Sequence, residues 1–175
     1  MLVYLGETPT PTSSFLEINN IPTTYESLVI KGQIGCTGTT EANAYMFFNG
    51  ITTSTYRWMA GGRNTAGTTT TENSASTNEG MFARSNPDAG FNVGTIVAPV
   101  EIEFWSYRGD QPGNMGWYSL NGLAAWDGSH GGNIMFVNGV YTEDQSVDVT
   151  RIQFITSQGS WSSHTKLYLY GRTSS

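Results

Sequence analysis

The chain has 175 residues, a length typical of one domain, and a formal net charge of −6 at pH 7. Only eight Lys and Arg residues are present and they are scattered, which argues against a nucleic-acid partner because phosphate binding takes clustered cations. The single cysteine, Cys36, excludes an intramolecular disulfide and a zinc site made of cysteines. We expect no cofactor, no metal and no membrane insertion, since no apolar run approaches about 18 residues.

Apolar and polar side chains alternate with a period of two along much of the chain, which predicts β-strands because successive side chains leave a strand on opposite faces. No segment keeps a helical period of 3.6 residues. We therefore predict an all-β fold, a two-sheet antiparallel β-sandwich of the jelly-roll type in a single domain, residues 15–171. The predicted strands cover residues 15–18, 27–34, 44–48, 54–59, 81–83, 95–107, 117–125, 133–141, 150–155 and 167–170.

Residues 1–14 are predicted to form an extended N-terminal arm, since Pro9 and Pro11 stand in a Thr-rich setting that disfavours helix. One interpretation is a flexible tail. The other is an arm held against a neighbouring subunit or partner, with Leu2, Tyr4, Leu5 and both prolines as candidate contacts.

Three connections carry distinct signals. Asn49-Gly50 predicts a hairpin, because both residue types adopt positive φ at low cost, with a returning strand at 54–59. Residues 61–80 are polar throughout and predict a long loop, in which Arg63 and Asn64 are candidate partner contacts. Residues 150–171 predict a closing hairpin with Trp161 in its connecting loop.

Two carboxylates, Glu101 and Glu103, lie on one face of a predicted strand, and glycosidases with a jelly-roll fold carry paired carboxylates in a similar strand. Those families alternate three acidic residues, whereas Trp105 occupies the third place here. His130 and His164 have no catalytic or metal-binding partners at a meaningful spacing. We expect the protein not to be an enzyme and both carboxylates to be ordinary surface charges.

Five tryptophans and nine tyrosines offer rings that could stack on sugars if they are exposed. Trp58, Trp117 and Trp126 are the candidates for carbohydrate stacking. Core packing and subunit contacts compete for the same residues, because large aromatic side chains are more often buried than free.

Short motifs distributed over nearly the whole domain resemble, by their order, a family of small phage-encoded β-sandwich proteins that occur alone or at the end of virion proteins. They are Ile21-Pro22, Tyr25-x-x-Leu28-x-Ile30 with Gly32, Phe48-Asn49-Gly50 with Tyr56, Ile102 to Tyr107, and Thr150-x-Ile152 to Leu169-Tyr170-Gly171. In that family an apolar residue follows the closing glycine, whereas Arg172 follows it here. The resemblance implies a structural component of a phage virion.

Two positions in a virion suit such a module. A fibre needs a long anchor or shaft, whereas this chain has a fourteen-residue arm, so we expect a capsid cement or decoration protein that bridges capsid subunits. We expect a homotrimer, which would protect edge strands, bound to the major capsid protein or other virion proteins after assembly in the host cytoplasm. Trp161 is a candidate contact between subunits. The alternative is a tail fibre or receptor-binding tip that recognises carbohydrate on the host surface.

Overall fold

The computed structural model describes residues 1–37, 42–63, 69–84, 98–110, 114–123, 133–142, 147–157 and 159–173. Within these residues, all the regular secondary structure is β-strand. Twelve strands occur there. They are β1 Leu2–Glu7, β2 Phe15–Ile18, β3 Ser27–Ile34, β4 Asn43–Phe48, β5 Tyr56–Arg63, β6 Thr69–Thr77, β7 Gly80–Arg84, β8 Ala98–Trp105, β9 Met115–Leu123, β10 Asn133–Tyr141, β11 Ile152–Thr156 and β12 Lys166–Arg172.

The strands form two antiparallel sheets. The large sheet has the order β1-β12-β3-β8-β9-β10-β5-β6, and the small sheet has the order β2-β11-β4-β7. Their facing sides pack together over one principal core, which confirms the predicted all-β, two-sheet sandwich. The jelly-roll connectivity remains a prediction.

Aromatic rings join the two sheets at the centre of the core. Phe48 of the small sheet contacts four rings, those of Tyr56, Phe104, Trp117 and Tyr141, with centroids 5.3–6.0 Å apart. Three of these contacts are edge-to-face, a geometry that adds attraction beyond the burial of area because the ring edge is positive and the ring face negative. The relative position of the sheets is therefore specified by ring geometry as well as by area.

The predicted N-terminal arm is extended but does not stand apart from the domain. Its residues 2–7 are strand β1, which pairs with β12 at the edge of the large sheet. The pairing with β12 continues at Thr8. Its backbone N–H donates to the Leu167 carbonyl at 2.9 Å, and its hydroxyl oxygen accepts from the Leu167 N–H at 3.1 Å. Whether the same strand also contacts a neighbouring subunit stays a prediction.

Both predicted hairpins are wrong, because each pair of strands divides between the sheets. Asn49 (φ 53°) and Gly50 (φ 76°) adopt the predicted positive φ, yet β4 lies in the small sheet and β5 in the large one. The segment 150–171 likewise carries β11 in the small sheet and β12 in the large sheet. Period-two alternation identifies a strand but not its neighbours, so the sequence did not distinguish a hairpin from a crossing between sheets.

The predicted polar loop at 61–80 is also wrong. Strand β5 continues to Arg63, and β6, Thr69–Thr77, returns beside it as the other edge of the large sheet. Threonine is β-branched and favours strands, and an edge strand tolerates polar side chains on its exposed parts. The polarity of this segment therefore reflects its position at an edge.

Two glycines on strands of the large sheet offer a matched pair of substitutions. A Cβ at Gly32 would meet the backbone carbonyl oxygen of Lys166, whereas a Cβ at Gly6 would meet nothing within 4 Å. Backbone cannot rotate out of the way as a flexible side chain can, so Gly32→Ala is expected to lower the free energy of unfolding by about 1–3 kcal/mol. Gly6→Ala is expected to change it by less than about 0.5 kcal/mol. Urea unfolding of both variants tests this, and equal stabilities would show that β3 and β12 do not pack as described.

Candidate interaction surface

Exposed apolar side chains concentrate on the outer face of the large sheet, the face turned away from the small sheet. Five large ones, between 39% and 55% exposed, lie together on strands β8, β9, β10 and β5 of that face, beside the partly buried Val140. We call this set the apolar half of the outer face. Its members are Met59, Trp105, Tyr118, Leu120, Phe136 and Val140.

Strand register places these residues in three rows that cross β8, β9, β10 and β5, in that order. The first row is Trp105, Gly116, Val140 and Arg57; the second is Glu103, Tyr118, Asn138 and Met59; the third is Glu101, Leu120, Phe136 and Gly61. Neighbouring strands are about 4.8 Å apart and alternate residues about 7 Å apart, so the apolar half covers roughly 300–400 Å² in projection. Patches of that size on a protein surface often have a function.

Two aromatic rings lie against the backbone of the neighbouring strand. A Cβ added at Gly116 would meet the indole of Trp105, and a Cβ added at Gly61 would meet the ring of Phe136. Each ring therefore occupies the space that a side chain on the next strand would otherwise fill. The result is a low apolar surface in which the rings do not project freely into solvent.

A depression of about 400 Å³ opens beside Trp105. Five outward residues line it. Ser74, Trp58, Trp117 and Gly139 complete the lining. The five are Arg57, Met59, Trp105, Asn138 and Val140. Its lining is almost entirely apolar, apart from the Asn138 amide and the Arg57 guanidinium at its margin, so it suits an apolar or aromatic group better than a polar one.

The rest of the outer face carries paired charges, interspersed with Leu2, Tyr4 and Tyr170. Lys31 Nζ lies 3.2 Å from Glu101 Oε2, and Arg172 Nη2 lies 3.1 Å from Glu103 Oε2, while Lys166 pairs with Glu7. We call the outward residues of β1, β12 and β3, with Glu101 and Glu103, the charged half. Exposed ion pairs add little stability, but they neutralise this half without leaving a concentrated field.

Tyr118 and Glu103 connect the two halves. The Tyr118 hydroxyl donates to Glu103 Oε2 at 3.2 Å, and the other carboxylate oxygen accepts from Ser27 Oγ at 3.3 Å. Burial first, and then the negative charge of Glu103, raise the pKa of Tyr118, so the phenol is a neutral donor at pH 7. Glu103 Oε2 thus accepts hydrogen bonds from both the Tyr118 phenol and the Arg172 guanidinium.

The carboxylate pair that invited an enzymatic interpretation is therefore engaged in ordinary surface contacts. Val100, Ile102 and Phe104 face the core, while Glu101 and Glu103 share the outward face of β8 as predicted. Each carboxylate has its own cation in Lys31 and Arg172. Among the residues that the structure describes, no group of three or more His, Cys, Asp or Glu side chains could hold a metal ion.

The predicted contact residues of the arm separate into exposed and covered ones. Leu2, Tyr4 and Pro9 are exposed, whereas Leu5 is half-buried against the core and Pro11 is buried on its own chain. Arg63 lies in β5, where its backbone pairs with Ile134 and Thr69. Asn64 lies outside the described residues.

Two predictions about tryptophans are wrong. Trp117 is fully buried and its ring N–H donates to the Met81 carbonyl at 2.9 Å, so it cannot stack on a sugar. Trp161 is 3% exposed and packs in the core, and its backbone forms an isolated antiparallel β-bridge with that of Cys36. It is therefore not a contact between subunits. Trp58 is partly buried against the core, and Trp126 lies outside the described residues.

Sequence reasoning missed the apolar half, although a signal was available. The stretches Trp117 to Leu120 and Met135 to Val137 carry large apolar or aromatic side chains at positions of both parities. A strand with one solvated face normally alternates, so large apolar residues on both faces indicate that the second face is also covered by something. That signal identifies the surface but not its partner.

A second, polar depression of about 270 Å³ is lined by Asn19, Asn20, Asn49, Thr150 and Arg151. Its central side chain is committed to the fold: the Asn49 amide donates to the Asp148 carbonyl and its oxygen accepts from the N–H groups of Thr150 and Arg151. We attribute this depression to the turn after β4.

Comparison with known proteins adds no family. No family model matches the chain, and no curated protein matches it. Within the described residues, no helix has the length and apolar character to cross a membrane.

Among solved structures, the chain is similar to one of botulinum neurotoxin type C, whose cell entry is dependent upon interaction with two ganglioside molecules. The identity is 9%, the alignment covers 100% of this chain and 44% of that chain, and the TM-score is 0.27. A likeness this weak carries no argument about function.

Proposed function

We propose that the chain is a non-enzymatic structural protein of a phage virion, a capsid cement or decoration protein that bridges capsid subunits. One observation carries the proposal: the apolar half exposes five large apolar side chains on one sheet face. The order of sequence motifs that resembles phage β-sandwich proteins supplies the setting. Together they favour a protein that functions by binding neighbouring proteins within an assembly.

The energetics of the apolar half suit a repeated contact better than a solitary one. Full burial of a large apolar side chain contributes about 1.5–3 kcal/mol, and these five are already about half covered, so each would add about 1 kcal/mol. Their sum of about 5 kcal/mol lies at the low end of the 4–15 kcal/mol that association costs in lost freedom. A single contact is therefore weak, whereas many contacts on one capsid gain strength through avidity.

Strand β1 offers a second contact of a different kind. It is an edge strand of the large sheet, and Leu2 and Tyr4 are exposed on it at 41% and 54%. An open edge presents unpaired backbone groups that another chain can use. In this proposal the apolar half is buried against a neighbouring protein of the assembly, and β1 is free to bind other virion proteins, the major capsid protein among them.

A capsid-binding experiment tests the proposal. Purified protein is added to capsids prepared without it, and the retained fraction is measured after sedimentation. We expect retention of the wild type and at least a tenfold weaker apparent affinity for Leu120→Asp, because a carboxylate on the apolar half must be desolvated on binding. Val147→Asp is the matched control, since Val147 is an exposed apolar residue off this surface. A wild type that is not retained, or equal retention of both variants, would contradict the proposal.

A second candidate, a tail-tip module that binds host carbohydrate, is favoured by the position of Trp105. Its indole is 42% exposed beside the depression, with the Asn138 amide and the Arg57 guanidinium at the margin. An aromatic face with nearby polar groups can stack on a sugar ring. The mainly apolar lining favours the cement protein over this candidate.

A glycan array separates the two candidates. If the chain binds carbohydrate, wild-type protein gives a glycan signal that Trp105→Ala removes, because the stacking platform is lost. Phe15→Ala is the control, since Phe15 is an aromatic residue of similar exposure on the small sheet. No glycan signal from the wild type would eliminate the carbohydrate candidate.

A further inference from the structure

We infer that the apolar half binds the same surface of a second copy of this chain, through a two-fold axis that runs parallel to the strands between β9 and β10. The inference rests on the proposed function, in that it names the partner of the surface proposed to be buried in the assembly. Two sheets pack face to face about 10 Å apart with their strands roughly aligned. The order of the large sheet then fixes which residues oppose each other.

The two-fold axis preserves the rows and exchanges the strands. Strand β9 of one copy lies over β10 of the other, β8 lies over β5, and β3 lies over β6. Each residue of a row consequently faces a residue of the same row in the second copy. Because the interface is isologous, every such pair occurs twice.

In the first row, Arg57 of one copy faces Trp105 of the other. Arg57 is exposed and forms no ion pair with any residue that the structure describes, and the Trp105 indole is partly exposed at the opposite end of the same row. A guanidinium over an indole face is a favourable cation–π arrangement. The surface thus carries both members of the pair at mirrored positions.

The central positions of the other two rows, on β9 and β10, are also self-complementary. In the third row Leu120 faces Phe136, both about half exposed, which places apolar side chains against each other. In the second row Tyr118 faces Asn138, whose side-chain N–H can donate to the phenol oxygen while the phenol O–H stays on Glu103. The depression beside Trp105 lies between the first and second rows, where it faces the Trp105 indole of the other copy.

Charge does not oppose this contact locally, although the chain has a net charge of −6. The two acidic residues of the rows, Glu101 and Glu103, are both paired with cations of their own chain. Beyond them, Lys31 on β3 faces Thr71 on β6, so the rim is polar without like charges in opposition. An apolar centre with a polar rim is the usual anatomy of a protein interface.

A contact of this kind closes with two copies. It therefore yields a dimer in solution, whereas the homotrimer expected from the sequence would require a different surface. Sedimentation equilibrium distinguishes the two: we expect a concentration-dependent dimer whose dissociation constant rises at least tenfold in Arg57→Glu and in Leu120→Asp. Val147→Asp, off the surface, is expected to match the wild type. A monomer at all concentrations, a trimer, or a dimer unaffected by both variants would overturn the inference.

Cross-linking tests the axis itself. Thr71→Cys and Lys31→Cys lie on β6 and β3, five strands apart in one chain but opposed across the two-fold axis. A short bismaleimide is expected to link a mixture of the two variants and neither variant alone, because Cys36 is buried. Dimers from one variant alone, or none from the mixture, would overturn the proposed axis.

The two experiments also separate this inference from the proposed function. Wild-type protein that remains a monomer in solution yet is retained on capsids would contradict self-association while leaving the cement role intact. Protein that forms the cross-linked dimer but is not retained would do the reverse.

Discussion

The inward orientation of Trp117 is the constraint on which the surface of this protein depends. Its ring packs against Phe48 of the small sheet, and its N–H donates to the Met81 carbonyl. A Cβ at Gly139 or Gly80 would collide with that ring, so both positions are kept clear for it. With Trp117 facing the core, alternation turns Gly116 and Tyr118 outward, and the register of β8, β10 and β5 then builds the apolar half around them.

The same constraint explains why the outer face is divided. Outward positions on β1, β12 and β3 combine ion-paired Lys, Arg and Glu with tyrosines and Leu2, whereas those on β9, β10 and β5 carry mainly rings and aliphatic groups without an ion pair. A sheet solvated on one side has no need of the second group for its own folding. The apolar half is therefore better explained by a partner than by the stability of the single chain, and the two-fold pairing supplies a partner with matched chemistry.

Much of the fold could be predicted from the sequence, and the failures share a cause. Alternation located β3, β10 and the faces of β8 correctly, because it reflects burial of one side of a strand. It could not show that β4 and β5, or β11 and β12, belong to different sheets, since neighbours in a sheet are decided by packing across the whole chain. For the same reason the sequence does not indicate that Trp105 is exposed and Trp117 buried. The face on which a tryptophan lies depends on a register that tertiary contacts select.

Hydroxyl-radical footprinting measures directly whether the apolar half is covered when the protein assembles. Labelling of Met59 and Phe136 is compared between the assembled protein and the monomeric Leu120→Asp variant, with Phe15, an exposed ring on the small sheet, as the internal reference. We expect assembly to protect Met59 and Phe136 at least severalfold, while Phe15 is labelled equally in both states. Equal labelling of all three residues in the two states would contradict this expectation.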